Sequence, residues 1–263
     1  MPSLLIDLDG VLYEGDEPVA GAADALAWLD EQAIPRLFVT NTSSRPRSTL
    51  VNKLGHMGIN VAESDILTPP VAAARWLRDH VQGAVALFVP PATASEFAGI
   101  ELAESQDTGP VGAVVIGDYG DRWSFTELNR AFRLLMTEPR PRLVALGMTR
   151  YWRAPDGLRL DTAPFVMALR HAAGVEPIVL GKPAGPFFER ALSQLDTTAD
   201  QTLMIGDDIR TDVDAAQGFG MRGILVRTGK FRSGDLDLEI HPHAILGSIA
   251  DFPDWWQKET GPG

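Results

Sequence analysis

This sequence predicts an α/β fold in which a parallel-sheet core is interrupted by an inserted second α/β domain, and three observations predict it. Short apolar runs alternate with segments of helical periodicity along the chain. Runs near both ends stop at acidic or lysine residues, where parallel strands open into a ligand crevice. Between them, from about Ala84, the alternation restarts independently. At 263 residues the chain has room for one large or two smaller domains with a substantial core.

The elements follow in order. Leu4, Leu5 and Ile6 form an apolar run that reads as a buried parallel strand ending at Asp7, Asp9 and Gly10. The segment GAADALAWLDEQ carries Ala22, Ala25, Leu26 and Leu29 at helical spacing, and RLFVTN is a short strand ending in Thr40 and Asn41. Ser43 or Ser44 offers an N-cap, with Pro46 behind it, to a helix running through Leu50, Leu54 and Met57 and stopping near Gly58. VALFVP, GAVVIG and RLVALG are the strands of the inserted domain, separated by helical stretches such as FTELNRAFRLLM. From Ile178 the first rhythm resumes with IVLGKP, the helix FFERALSQL, the strand TLMIGDD, a helix around DVDAAQGFG and the strand GILVRTG. The tail past Phe252, with Trp255 and Trp256, reads as a helix packed on the core.

Composition narrows the function classes. Apolar residues make up 45% and charged residues 22%, as in an ordinary globular protein. A formal charge of −12 argues against nucleic acid or an anionic membrane as partner. An anionic substrate must therefore be received by local cations and amides. There are no cysteines, so disulfides and thiolate chemistry are excluded. The first apolar stretch is short, broken by Asp7 and not preceded by basic residues, which supports neither a signal peptide nor a membrane span. A cytoplasmic location is expected.

The strand-end residues point to phosphoryl transfer. A carboxylate attacker such as Asp7 is repelled by a phosphate unless a metal ion screens both charges. Mg²⁺ accepts a few protein oxygens and keeps its waters, so the carboxylates of Asp7 and Asp207 and the backbone carbonyl of Asp9 suffice as its protein ligands. The Asp9 side chain is placed to protonate the leaving oxygen and later to deprotonate water. Lys182 is a point charge suited to neutralising the nucleophile and the phosphoryl oxygens. The Thr40 hydroxyl and the amides of Asn41 and Thr42, at an expected helix N-terminus, donate to those oxygens. Asp208 and Asp212 are expected behind these groups, one near the metal and the other holding Lys182.

Alone, each signal is weak. A lone DxD is ordinarily a solvated turn, and GKP or TN alone says little. Four such signals, each after a short apolar run in a βα context, are not explained by turns. A response-regulator receiver shares the acidic cluster, Thr and Lys around Mg²⁺, but needs neither Asp9 nor an insert of this size. A phosphotransferase or phosphomutase would use the same aspartyl-phosphate, with water exclusion deciding between transfer and hydrolysis. A non-catalytic phospholigand-binding protein is disfavoured because every chemical residue is intact.

The motifs DLDGV (Asp7 to Val11), VTN (Val39 to Asn41), GKP and GDDIRTD, in this order, resemble the four motifs of the haloacid dehalogenase (HAD) superfamily of phosphatases. The resemblance covers nearly the whole chain. It implies a Rossmann-like parallel-sheet core over residues 1–82 and 178–263 and an inserted α/β cap over residues 83–177. It also implies Asp7 as nucleophile, Asp9 as acid and base, Thr40 and Lys182 on the phosphate, and Asp207 on Mg²⁺. An insert between the second and third motifs resembles the NagD-like subfamily IIA, and the segments LNRAFRLLM, ALGMTRYWRAPDGL, LGKP and MIGDDIRTDVDAAQ look most like the branch containing phospholysine phosphohistidine inorganic pyrophosphate phosphatase. The implied substrate is a small phosphorylated metabolite, and a homodimer through the cap follows from the family analogy alone.

Several residues stand apart. Where that branch tends to have a glycine after the DGL segment, this chain reads Asp161, Thr162 and Ala163. If the segment faces the site, the Asp161 carboxylate favours cationic or hydroxylated leaving groups. Met148, Thr149, Arg150 and Tyr151 form a candidate specificity loop, with Arg150 toward substrate. Gly218 to Gly223 fits G-x-G-x-x-G spacing but follows a helix and leads into a strand, the reverse of a dinucleotide loop. His241 and His243 lack a third metal ligand. Trp28, Trp76, Trp123 and Trp152 read as packing anchors.

Overall fold

The computed structural model describes residues 2–104, 107, 109–154 and 156–260. The chain opens with β1 (Ser3–Asp7), a small hairpin of β2 (Tyr13–Glu14) and β3 (Glu17–Pro18), then α1 (Ala22–Glu31), β4 (Arg36–Val39), α2 (Arg47–His56) and β5 (Ile66–Leu67). Next come α3 (Pro69–His80), β6 (Val85–Phe88), β7 (Ala113–Ile116), α4 (Phe125–Leu135), β8 (Arg142–Ala145), β9 (Tyr151–Ala154), β10 (Gly157–Leu160), α5 (Thr162–Ala173) and β11 (Pro177–Val179). It closes with α6 (Gly185–Leu195), β12 (Thr202–Gly206), α7 (Ala215–Gly218), β13 (Arg222–Val226), β14 (Ala244–Leu246) and α8 (Phe252–Thr260).

Two compact units result. The first comprises Met1–Thr40, Leu50–Leu67 and Lys182–Gly263. Its parallel six-stranded sheet has the order β14-β13-β12-β1-β4-β5. From β1 the chain runs outward through β4 and β5, and β12 later returns to the other side of β1. The connections thus reverse direction beside β1, where open α/β sheets place their ligand crevice. Leu4 and Ile6 point to one face, joining Leu203, Ile205, Phe38 and Ile224 in a core covered by α1, α2 and α8. The α1 residues Ala22, Ala25, Leu26 and Leu29 all face this core, as their spacing predicts. Fully burying a side chain such as Leu29 is worth about 1.5–3 kcal/mol relative to exposing it. Phe252 and Trp256 of α8 complete the layer, with the Trp28 ring 6.4 Å from Phe252, edge on.

The second unit comprises Asn41–Thr49 and Thr68–Gly181. Its parallel four-stranded sheet has the order β11-β8-β7-β6. Alternation along the strands sorts two cores. Ala86, Phe88, Val114, Ile116, Leu143 and Ala145 meet Ala131 and Leu134 of α4 and Val166 and Leu169 of α5. Val85, Ala113, Val115 and Val144 meet Ala73, Ala74 and Leu77 of α3. Trp123 stacks between Phe88 and Phe165, at centroid distances of 5.6 and 4.7 Å.

The structure departs from the sequence reading in four places. The expected boundaries at 82/83 and 177/178 move: α3 packs in the second unit, and β11 pairs with β8 there, so the chain crosses back between Gly181 and Lys182. The run IVLGKP is thus split, its strand in one unit and its lysine in the other. Helix α2 starts at Arg47, after Pro46, because the Ser43 hydroxyl accepts the Asp118 N–H at 3.2 Å and caps no helix. The helix around DVDAAQGFG is a wide π-type turn over Ile209–Asp214 followed by the short α7. Trp152 lies on the β9–β10 hairpin, 40% exposed, and among the described residues joins none of these core clusters, whereas Trp28, Trp76 and Trp123 pack against theirs.

Candidate active site

Asp7 is the last residue of β1, and its register partner on β4 is Val39. The other neighbour, β12, ends at Gly206, so Asp207 follows beside Asp7. Burial of these strands on both faces takes both carboxylates out of solvent: Asp7 is 5% and Asp207 1% exposed. Lys182, 3% exposed, places its ammonium 3.0 Å from Asp7 Oδ2 and 2.7 Å from Asp212 Oδ1. Asp212 is fully buried on the first turn after β12, and its Oδ2 accepts the Asp208 N–H at 3.2 Å. The sequence expectation that one of Asp208 and Asp212 holds Lys182 is met by Asp212.

Burial sets the electrostatics. It raises the Asp7 carboxyl above its ordinary value, the Lys182 charge opposes that rise, and Asp207 adds to it. It pushes Asp207 up to about 6, against the Lys230 N–H and charge. Burial also pushes Asp212 up to about 7 against Lys182. For Lys182 burial pulls downward, but Asp212 and Asp7 outweigh it and hold the ammonium charged. Three buried carboxylates with one buried ammonium carry surplus negative charge, so they hold protons more tightly than free aspartates do.

Carboxylate oxygens of Asp7, Asp207 and Asp212 lie within 4.8 Å of one another. Asp207 Oδ2 accepts the Lys230 N–H at 2.7 Å, while its Oδ1 is buried without a hydrogen-bond partner. A buried, orphaned carboxylate oxygen in an all-oxygen donor set fits a hard divalent cation. Among the described residues this is where three such ligands gather. Among the described residues His241 and His243 belong to no such trio: His243 faces Glu259 at 3.3 Å and Trp255 edge on.

The other expected residues fall as follows. Asp9 is exposed, two residues beyond Asp7, in the turn entering the β2–β3 hairpin. Thr40 is buried one residue past Val39, its N–H donating to Leu67 at 3.2 Å. Asn41 and Thr42 are half-buried and belong to the second unit; they stand ahead of a loop, not at a helix N-terminus, since α2 begins at Arg47. Asp208 accepts the N–H groups of Arg210 and Thr211 at 3.0 and 3.1 Å. Those bonds and Lys230 outweigh its burial and hold its carboxyl below the ordinary value.

Asp161 is the N-cap of α5, its carboxylate accepting the Thr162 N–H at 2.6 Å and hydroxyl at 2.9 Å. In the same unit, burial and the Asp161 charge raise the Asp118 carboxyl at the end of β7. Arg150 contributes its carbonyl to the Asp161 N–H, and its guanidinium lies 5.7 Å from the Tyr151 ring centroid.

Sequence reasoning missed the loop after β13. The Thr228 hydroxyl donates to the Gly10 carbonyl at 2.5 Å, and the Gly229 N–H donates to the Glu14 carboxylate. Gly10 (φ +83) and Gly229 (φ +64) pack so closely on Asp207 that a Cβ at either would strike its carboxylate. The available signal was RTGK directly after the strand GILV, another strand-end loop on the same edge.

A family model described as haloacid dehalogenase-like hydrolase matches residues 4–103, and a second HAD-like hydrolase model matches residues 179–252. The chain is 40% identical over 257 residues to phospholysine phosphohistidine inorganic pyrophosphate phosphatase of Bos taurus, covering 94% of this chain and 90% of that protein. Its fold matches p-nitrophenyl phosphatase from Archaeoglobus fulgidus with a TM-score of 0.88 at 27% identity, over 97% of this chain and 98% of the other. It also matches NagD from E. coli K-12 with a TM-score of 0.84 at 24% identity, over 95% and 98% of the two chains. This chain belongs to the haloacid dehalogenase-like hydrolases. Within them it is a phosphatase, and its fold is the one that NagD also has. Hydrolases of this superfamily generally use a divalent metal, in keeping with the orphaned oxygen of Asp207.

Proposed function

We propose that the protein is a Mg²⁺-dependent phosphatase that removes the phosphoryl group from a small phosphorylated metabolite through an aspartyl-phosphate on Asp7. The observation that carries this reading is the buried Asp7 carboxylate with Lys182 3.0 Å from its Oδ2 and Asp207 and Asp212 beside it. Asp7 and Asp207, with Asp212 close by and the Asp9 carbonyl, are the residues that would hold Mg²⁺. When bound, the ion screens the repulsion between carboxylate and phosphate and stabilises charge on the transferring group.

An Asp7 carboxylate oxygen attacks phosphorus, an oxygen–phosphorus bond forms, and the bond to the leaving oxygen breaks as Asp9 gives that oxygen a proton. Asp9, now a carboxylate, takes a proton from water. The water oxygen attacks phosphorus, which releases phosphate and regenerates Asp7. General acid–base assistance of this kind contributes about 10²–10⁴-fold. An exposed Asp9 suits this role because the water it deprotonates in the second half-reaction can reach it. Lys182 and Thr40 bind the phosphoryl oxygens, and Asp208 and Asp212 support the ligand residues. The acidic surface favours a small substrate bound by local groups over a polymer. A cytoplasmic location and a homodimer through the second unit belong to the same reading.

The test is phosphate release from aryl phosphates, sugar phosphates, nucleotides, pyrophosphate and phospho-amino acids, with and without Mg²⁺. Asp7→Asn, nearly isosteric, is expected to abolish release while keeping the fold. Turnover that survives this substitution removes Asp7 from the chemistry. Phosphate transfer to an added alcohol without net hydrolysis would move the assignment to a phosphotransferase.

A further inference from the structure

The buried ammonium of Lys182 is held between two carboxylates, its side chain 2% exposed, so it cannot reach out to meet an approaching anion. A second ammonium stands on the open side of the same cluster. Lys230 donates its N–H to Asp207 Oδ2 at 2.7 Å and lies, through Nζ, 3.7 Å from Asp208 Oδ2, with its side chain 64% exposed. These two lysines are the cations whose charge bears on Asp7. The backbone below Lys230 is pinned: Thr228 is tied to Gly10, Gly229 to Glu14 and the Lys230 amide to Asp207. The ammonium is therefore an exposed charge on a fixed base.

Charge balance gives it a task. The four carboxylates of Asp7, Asp207, Asp208 and Asp212 are offset by Lys182 and, when loaded, by one divalent cation, and the negative charge left over is what Lys230 balances. A phosphate dianion approaching a molecule of formal charge −12 is repelled at long range, and an exposed cation beside the cluster reverses the field locally. We propose that Lys230 is a substrate-binding residue that captures the phosphoryl group of the incoming anion, before Lys182, still paired with Asp7 and Asp212, takes its share of the phosphoryl oxygens. The inference rests on the phosphatase reading for its substrate, but capture of phosphate is measurable without turnover.

Lys230→Gln and Lys230→Arg in the full Mg²⁺-loaded chain test it. Hydrolysis of p-nitrophenyl phosphate is followed at low salt and at about 0.5 M salt, where screening reaches within a few ångströms. Binding of inorganic phosphate and of Mg²⁺ is measured by calorimetry. Lys230→Gln is expected to raise KM and weaken phosphate binding about tenfold at low salt. Its kcat should stay within about twofold, high salt should close the gap, and Lys230→Arg should restore the wild-type values. Unchanged KM and phosphate binding would overturn the proposal. So would a loss of Mg²⁺ affinity that accounts for the whole effect, because Lys230 would then serve the acidic cluster and not the substrate. If no ester is hydrolysed but phosphate binding still depends on Lys230, the phosphatase reading fails and the capture role stands.

Discussion

Lys182 and Asp212 form a buried ion pair, Nζ to Oδ1 at 2.7 Å, with side chains 2% and 0% exposed, and the same ammonium reaches Asp7. Lys182→Met should therefore leave three buried carboxylates with no buried cation. Removing one partner of a buried pair costs about 3–5 kcal/mol. A denaturant midpoint unchanged from wild type would show that the carboxylates simply protonate at no cost. Activity is expected to vanish in either case.

Gly10 and Gly229 combine positive φ with close approach to Asp207. Gly10→Ala and Gly229→Ala should each cost about 1–3 kcal/mol of stability and weaken divalent-metal binding. Gly15 also has positive φ, but nothing lies within 4 Å of an added Cβ. Gly15→Ala should carry the backbone penalty alone and leave metal affinity intact. Equal metal affinity across the three variants would mean that crowding at Asp207 is immaterial.

Asp207 and Asp212 are pushed up to about 6 and about 7 in the metal-free fold, above the ordinary carboxylate range. The folded state then binds more protons than the unfolded chain between about pH 4 and 7, so this cluster's contribution to stability falls as pH rises through that window. Melting in EDTA should show the loss on comparing wild type with Asp207→Asn, which lacks the titration. A divalent cation displaces those protons, so metal affinity should strengthen as pH rises through the same range. Affinity flat from pH 5 to 8 would contradict the raised carboxyls.

Asp161 caps α5 through its bonds to Thr162. Asp161→Ala should destabilise the second unit by about 0.5–2 kcal/mol, while Asp161→Asn should recover most of that loss. If both variants melt like wild type but change substrate preference, the carboxylate acts on substrate and not on the helix.

The four motifs were legible because each is local: an apolar run that ends in a carboxylate, hydroxyl or lysine marks a strand end, whatever surrounds it. Asp7, Asp207 and Lys182 were found in this way and stand together in the structure. The Lys230 loop escaped notice because RTGK carries no motif of its own; its importance arises from Gly10 and Glu14, more than two hundred residues away in sequence. For Asp161, a candidate recognition group if its segment faces the site, sequence does not show that the carboxylate is also engaged by the next backbone amide.

The sequence by itself determined the alternating α/β architecture, the inserted unit, the acidic strand ends and the chemical class they imply, since periodicity and residue type are carried by neighbouring residues. Only the tertiary structure decided that β11 belongs to the second unit while Lys182, three residues later, belongs to the first. It likewise decided that Asp212 and not Asp208 holds that lysine, and that Asp207 keeps one buried oxygen without a partner. Strand pairing, burial and hydrogen-bond satisfaction are settled between segments distant in sequence, and no local pattern encodes which of several equivalent partners will be near enough to win.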